Sequence, residues 1–317
     1  MSIVQHLLNR LAGRAGADPA ARAPALHMES DELARRLEAM PGYRVLRALN
    51  VDVGEAELPN PAPGQRIAVV VDTETTGLDP DVDRIVEVAI QRFTFDRAGQ
   101  IVAIERVRSW LEDPGRAMPE RLTALTGLTD ADLAGQRFDD AAIVKLIGEA
   151  DFVIAHNAAF DRPFLDLRFP PLRRLPWACS LSQLDWLALG FDGRSLGHLL
   201  LQGGWFFQGH RAGNDVAALT ALLGLKVTSD RTILSHLLER GEAASIRIEA
   251  VGAPFDAKDL LKGAGYRWDA RRRFWWREAE EVGLASEVDW LEQNVYRGRG
   301  RANLRPITAR ERFARDT

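Results

Sequence analysis

The sequence predicts an α/β protein built on a mixed sheet with helices on both faces. Three observations carry that class. Residues 67–72, 84–95 and 101–111 are successive β-rich runs, and the turn signal at 96–99 joins the last two as a hairpin, so the chain opens with an antiparallel meander. Beyond the meander, helix and strand signals alternate in the manner of βα units. With 317 residues, 46% of them hydrophobic, the chain can bury a full core, and no apolar run reaches transmembrane length.

Taken in order, residues 1–65 read as a variable helical and linker lead-in. Ile3, Val4, Leu7, Leu8 and Leu11 form an amphipathic stretch without a signal-peptide cleavage site. Residues 15–24 are rich in Ala, Gly and Pro and read as a linker. Ser30 is a candidate cap for a short helix that ends before Pro41. Pro59, Pro61, Pro63 and Gly64 then mark the boundary of a domain over 66–226. After its meander, this domain should place helices near 120–125, 130–133 and 139–150, a strand at 152–155 and a helix around 161–167. A short strand near Trp177 and helices near 181–189, 196–201 and 215–223 complete it.

Its first strand ends Val70-Val71-Asp72-Thr73-Glu74-Thr75-Thr76-Gly77. Side chains alternate across a strand, so Asp72 and Glu74 share one face, and paired oxygen donors suit a hard cation such as Mg²⁺ or Mn²⁺. Gly77 opens the turn, where a missing Cβ lets a ligand approach the backbone. A second motif, Ala155-His156-Asn157-Ala158-Ala159-Phe160-Asp161, breaks from a buried strand into a helix with Asp161 in its first turn. In a third, His210 sits in the loop before a helix that starts at Asp215.

With Asp72-Thr73-Glu74-Thr75-Thr76-Gly77, His156-Asn157 with Phe160-Asp161, and His210 with Asp215 in that order, residues 66–225 resemble the DEDDh 3′–5′ exonucleases. That class includes the proofreading subunit of bacterial replicative polymerase. Met118-Pro119 and Leu125-Thr126-Gly127-Leu128-Thr129 also resemble the family's intervening stretch. The resemblance implies a ribonuclease-H-like fold and hydrolysis of single-stranded DNA 3′ ends to nucleoside 5′-monophosphates. It also implies a polymerase or repair complex as partner; that no membrane is involved is expected from the lack of an apolar run of spanning length. Two Mg²⁺ or Mn²⁺ ions would sit on Asp72 (bridging), Glu74, Asp161 and Asp215, since two metals can clamp both oxygens of an in-line displacement. His210 would be the general base, because imidazole titrates near neutrality. His156 is expected to orient the turn with Asn157 and not to bind metal. Thr75, Thr76, Gly77, Leu78 and Asn157 would meet the terminal nucleotide; the plain alternative is a turn with a buried leucine.

Residues 245–282 form a small α+β module, with a strand at 246–251, a helix at 255–264, and Tyr266, Trp268, Phe274, Trp275 and Trp276 interleaved with arginines. It resembles a short module of uncertain function attached to nucleic-acid enzymes. Trp268 and one of Trp275 or Trp276 should be buried, with arginines facing nucleic acid. Residues 283–317 are expected to be a helix and a mobile basic tail, and a chain ending near Gly241 is expected to keep catalysis on short oligomers while binding longer strands more weakly, in a salt-dependent way. The single cysteine, Cys179, excludes an internal disulfide framework, fits a reducing cytoplasm and should be a buried, inert thiol. The net charge of −4 neither favours nor excludes nucleic acid. An exoribonuclease shares the motifs and stays open as an alternative. A binding scaffold without chemistry would be favoured by loss of one of the five residues, all of which are present.

Overall fold

The computed structural model describes residues 19–228 and 230–315, so the amphipathic stretch at 3–11 lies outside the described residues. The chain divides into two compact units at Arg47/Ala48. Among the described residues the first contains one helix, α1 (Pro19–Glu38). It overturns two expectations at once: residues 19–24 are helical, not linker, and Ser30 lies inside the helix, not at its cap. Alanines at 20, 21, 23 and 25 favour helix over coil, and Pro19 occupies the first turn, where its missing N–H costs nothing.

The second unit is built on a six-stranded sheet. β1 (Arg66–Thr75), β2 (Ile85–Phe95), β3 (Ile101–Ile104) and β4 (Arg108–Leu111) form the meander, and β5 (Phe152–Ala155) and β6 (Trp177–Cys179) complete it. The order is β3–β2–β1–β5–β6, with β4 also paired to β2. β1 runs antiparallel to β2 and parallel to β5, so the sheet is mixed. This is the ribonuclease-H-like arrangement expected from the sequence. Between β4 and β6 lie α2 (Glu120–Thr126), α3 (Asp130–Leu133), α4 (Asp140–Gly148) and α5 (Ala158–Arg168). After β6 come α6 (Ser180–Gln183), α7 (Leu196–Gly203), α8 (Ala212–Leu223) and α9 (Ile233–Glu242).

The period-2 pattern of β1 divides its side chains between two cores. Ala68 and Val70 pack with Leu199, Leu219 and Leu237 from α7–α9, whereas Val69 and Val71 pack with Ile143, Ile147 and Leu165 from α4 and α5. Helices on both faces leave β2 buried along its whole length. The expected strand at 101–111 is split, because Glu105 turns its carboxylate inward to Arg108 at 2.8 Å and Arg92 at 3.6 Å. The expected helix at 181–189 shortens to α6. Leu184 turns extended so that Leu184 and Trp186 drop into the core, and the Trp186 indole donates to the Ser180 carbonyl at 2.9 Å. Packing there outweighs local helix propensity.

A second, antiparallel sheet follows, of β7 (Ser245–Ala250), β8 (Arg267–Asp269), β9 (Phe274–Ala279) and β10 (Asn303–Ile307), in the order β8–β9–β7–β10. α10 (Lys258–Gly263) and α11 (Leu284–Trp290) lie between its strands in the chain. The stretch expected as a basic tail therefore supplies a strand. It also supplies an anchor: Arg312 is 2% exposed and donates to the carbonyls of Gly241 and Ala243, both at 2.9 Å. Trp268, expected to be buried, is 49% exposed, because β8 is an edge strand and Tyr266, Leu291, Val295 and Tyr296 fill the core instead. Trp275 and Trp276 are both half-buried. Cys179 is buried. Among the described residues no helix is long and apolar enough to cross a membrane.

Candidate active site

β1 carries Asp72 and Glu74 out of the core on one face, and α8 brings Asp215 to them from its first turn. One carboxylate oxygen from each lies within 4.8 Å of the others. Asp161, in the first turn of α5, is fixed from behind: Thr73, between the two β1 acids, donates to its Oδ1 from the backbone at 3.0 Å and from the hydroxyl at 2.9 Å. Asp215 accepts from the Arg211 N–H at 3.2 Å, using the free donors of its own helix start. The helix begins at Ala212, three residues before the expected start.

Four acids brought together this way resist ionisation. Desolvation is the largest cause for each, followed for Glu74 by the charges of Asp215 and Glu87, and Glu74 is pushed up to about 8. Asp72 is raised by burial and by Asp161, Asp215 and Glu74. Asp161 and Asp215 are also raised by burial, held back by the Thr73 and Arg211 hydrogen bonds respectively. Such a set carries an excess of negative charge that Arg211 and His210 offset only in part, and a divalent cation would offset the rest. Oxygen-only donors at this spacing fit Mg²⁺ or Mn²⁺.

His210 is exposed, in the left-handed region at φ 63°, with its charge acting on Asp215. Asn157 caps α5 at φ 100°, a conformation asparagine tolerates and one that lets β5 pass into α5 within two residues. His156 engages both ring nitrogens, Nδ1 with Ser180 Oγ at 2.8 Å and Nε2 with the Arg194 carbonyl at 2.9 Å. Burial lowers it to about 4, so it is a neutral strut.

The turn after β1 departs from expectation in one respect. A Cβ on Gly77 would lie 2.3 Å from Asp83 Oδ2, so the glycine makes room for that carboxylate and not for a ligand. Thr76 is likewise committed to the turn, accepting from Arg116 at 2.6 Å and Arg84 N at 3.0 Å, and the Thr75 hydroxyl donates to the Gly77 carbonyl. Leu78 is 76% exposed, which removes the buried-leucine alternative.

Two neighbours escaped the sequence reading. Glu87 on β2 faces Glu74 in register, is 2% exposed, and is held by Arg211 Nε at 3.2 Å and by the Ala212 N–H at 3.3 Å. An acid inside an otherwise apolar run was the available signal. Arg162, beside Asp161, is fully buried; besides Asp166 its partners are backbone carbonyls, which leave no mark in sequence.

A family model described as exonuclease, of the RNase T type, matches residues 69–223. DNA polymerase III subunit epsilon of Aquifex aeolicus is 30% identical over 170 residues, 51% of this chain and 80% of that protein. The chain belongs to this exonuclease family. As a member it is a nuclease, a hydrolase of nucleic acid. DNA polymerase III PolC-type of Thermotoga maritima is 34% identical over 128 residues, 40% of this chain. The exonuclease chain spans less than a tenth of the length of the PolC-type relatives, 9% and 8%. Among solved structures, exonuclease X in complex with 5′ overhanging duplex DNA is similar at 25% identity and a TM-score of 0.37, covering 53% of this chain and 99% of that one.

Proposed function

We propose that this exonuclease shortens single-stranded DNA from the 3′ end, releasing nucleoside 5′-monophosphates with two Mg²⁺ or Mn²⁺ ions. The observation that carries the reading is the convergence of Asp72, Glu74 and Asp215 within 4.8 Å, with Asp161 held alongside through Thr73. Asp72, Glu74, Asp161 and Asp215 would hold the ions, which when bound supply charge relief to the phosphate. His210, exposed beside Asp215, takes a proton from the attacking water. The water oxygen bonds to phosphorus, the bond to the penultimate 3′-oxygen breaks, and that oxygen leaves as a hydroxyl after gaining a proton from solvent. Leu78, exposed after the acidic strand, and Asn157 at the start of α5 offer the terminal nucleotide an apolar and a polar contact. The epsilon-subunit relative supports DNA as the substrate and a polymerase or repair complex as the partner.

The test uses matched DNA and RNA oligomers labelled at the 5′ end. Progressive shortening of labelled DNA with Mg²⁺ or Mn²⁺, arrested by chelator and absent in Asp72→Ala with an unchanged circular dichroism spectrum, is the expected result. Faster trimming of RNA reassigns the substrate, and full activity of Asp72→Ala removes the site assignment.

A further inference from the structure

A cleft of about 510 Å³ opens away from the acid cluster, between the C-terminal sheet and the surface of α5 and α6. Ala159 and Pro163 of α5 line it, and at 100° per residue they face opposite to Asp161. The sheet contributes Arg247, Arg267, Trp276 and Arg305. Register places these on one face: Arg267 is opposite Trp276, Trp276 opposite Glu249, and Arg247 opposite Arg305.

The lining holds six arginines against three glutamates. Each glutamate is already engaged: Glu278 with Arg312 at 2.6 Å, Glu280 with Arg240, and Glu311 with the Thr308 N–H at 2.8 Å. Arg247 is held by Glu249 at 3.3 Å and Asp269 at 3.4 Å, and its guanidinium sits 4.3 Å from the Trp276 ring centre. Arg267 is exposed, makes no ion pair among the described residues, and lies over the same ring at 5.8 Å. Arg305 is the direct cross-strand partner of Arg247, which adds a further positive charge to the same face of the sheet. Trp276 thus holds two guanidinium forks at the mouth of a cavity in the size range of ligand pockets.

We infer that this cleft binds the sugar–phosphate backbone of a single-stranded nucleic acid, at a site separate from the acids. Guanidinium forks match phosphate oxygens, and contacts to the backbone alone need no particular sequence. A polymer fits better than a free nucleotide because Arg297, Arg299 and Arg301 are all exposed and lead along the chain into β10 and Arg305. Cations outside the cavity matter only to a ligand that extends beyond it. The inference deepens the proposed function by giving the strand a hold on the far side of α5 from the chemistry, and rests on that reading for the choice of DNA.

The experiment is fluorescence anisotropy of the full chain with labelled oligothymidylate of about 20 nucleotides, longer than the ~4–16 nucleotide footprint of single-strand sites. It is done in chelator, so it reports on the cleft whether or not the acids hydrolyse anything. Wild-type affinity should fall with salt. Arg267→Glu with Arg305→Gln should weaken binding roughly 10-fold and reduce the salt slope by about 0.7 for each phosphate no longer neutralised. Arg267→Lys, which keeps the charge, should keep the slope. A wild-type slope near zero, or unchanged affinity in the double variant, overturns the inference. Displacement of the oligomer from the cleft by a nucleoside 5′-monophosphate at equal phosphate concentration overturns the polymer assignment.

Discussion

His210 occupies a backbone conformation that few non-glycine residues adopt, at φ 63°, one residue before the arginine that neutralises Glu87. Strain of this kind, of order 1–3 kcal/mol, persists where surrounding contacts over-determine it and is common at functional sites. Here the contacts are the start of α8 and the Asp215 carboxylate. His210→Ala removes the imidazole while leaving the three clustered carboxylates intact. Turnover should therefore fall on the order of 10²–10⁴-fold with Mn²⁺ affinity, read by calorimetry, nearly unchanged. Lost Mn²⁺ binding in that variant would make the histidine a ligand. The acids were legible because a strand's two-residue repeat and a helix's first turn dictate where their side chains go. Glu87 was less so: its role depends on the register of β1 against β2, a pairing that local sequence does not encode.

At the level of elements, α5 joins the acid cluster to the end of the chain. Asp161 points to the cluster, and the next residue, Arg162, points into the protein. Its guanidinium donates to the carbonyls of Arg310 and Arg312, both at 2.6 Å, and of Arg173 at 2.8 Å, with Asp166 at 3.2 Å from Nε. The Trp177 N–H also reaches the Ala309 carbonyl at 2.8 Å, so residues 309–312 stitch onto β6 as well as α5. The expectation that a chain ending near Gly241 keeps catalysis does not survive this arrangement. That truncation strips a fully buried cation of the Arg310 and Arg312 carbonyls, hydrogen bonds to a charged group worth about 1.5–3 kcal/mol each. It should lower Tm sharply and abolish activity, whereas a chain ending after Phe313 should behave as the full chain does. An unchanged melting curve for the Gly241 truncation would show that the clamp on Arg162 contributes nothing. Hydrogen bonds spanning about 150 residues between a side chain and backbone carbonyls have no sequence signature, which is why the tail looked dispensable.

Across the whole molecule, the raised acids make stability depend on pH in a direction opposite to most carboxylates. Asp83, Asp113 and Asp132 are lowered, chiefly by hydrogen bonds from backbone and threonine groups, so their contributions are complete above the ordinary carboxylate range. His156, lowered by burial, binds fewer protons folded than unfolded, and its contribution is complete above about 6.5, the unfolded imidazole value. Above that point the cluster dominates. Asp72, Glu74, Asp161 and Asp215 are all raised, so the folded chain retains protons that the unfolded chain has already lost. When the native state binds more protons, stability falls as pH rises. The window runs from about 6.5, the unfolded imidazole value, to about 8, where Glu74 ionises. In chelator, Tm should decline across it. A divalent cation stabilises the ionised cluster by mass action, so the Tm gained on adding Mn²⁺ should grow over the same interval. A chelated Tm that is flat or rising from about 6.5 to about 8 would mean that the acids are ionised and solvated without metal, and the electrostatic case for a cation site would fail with it.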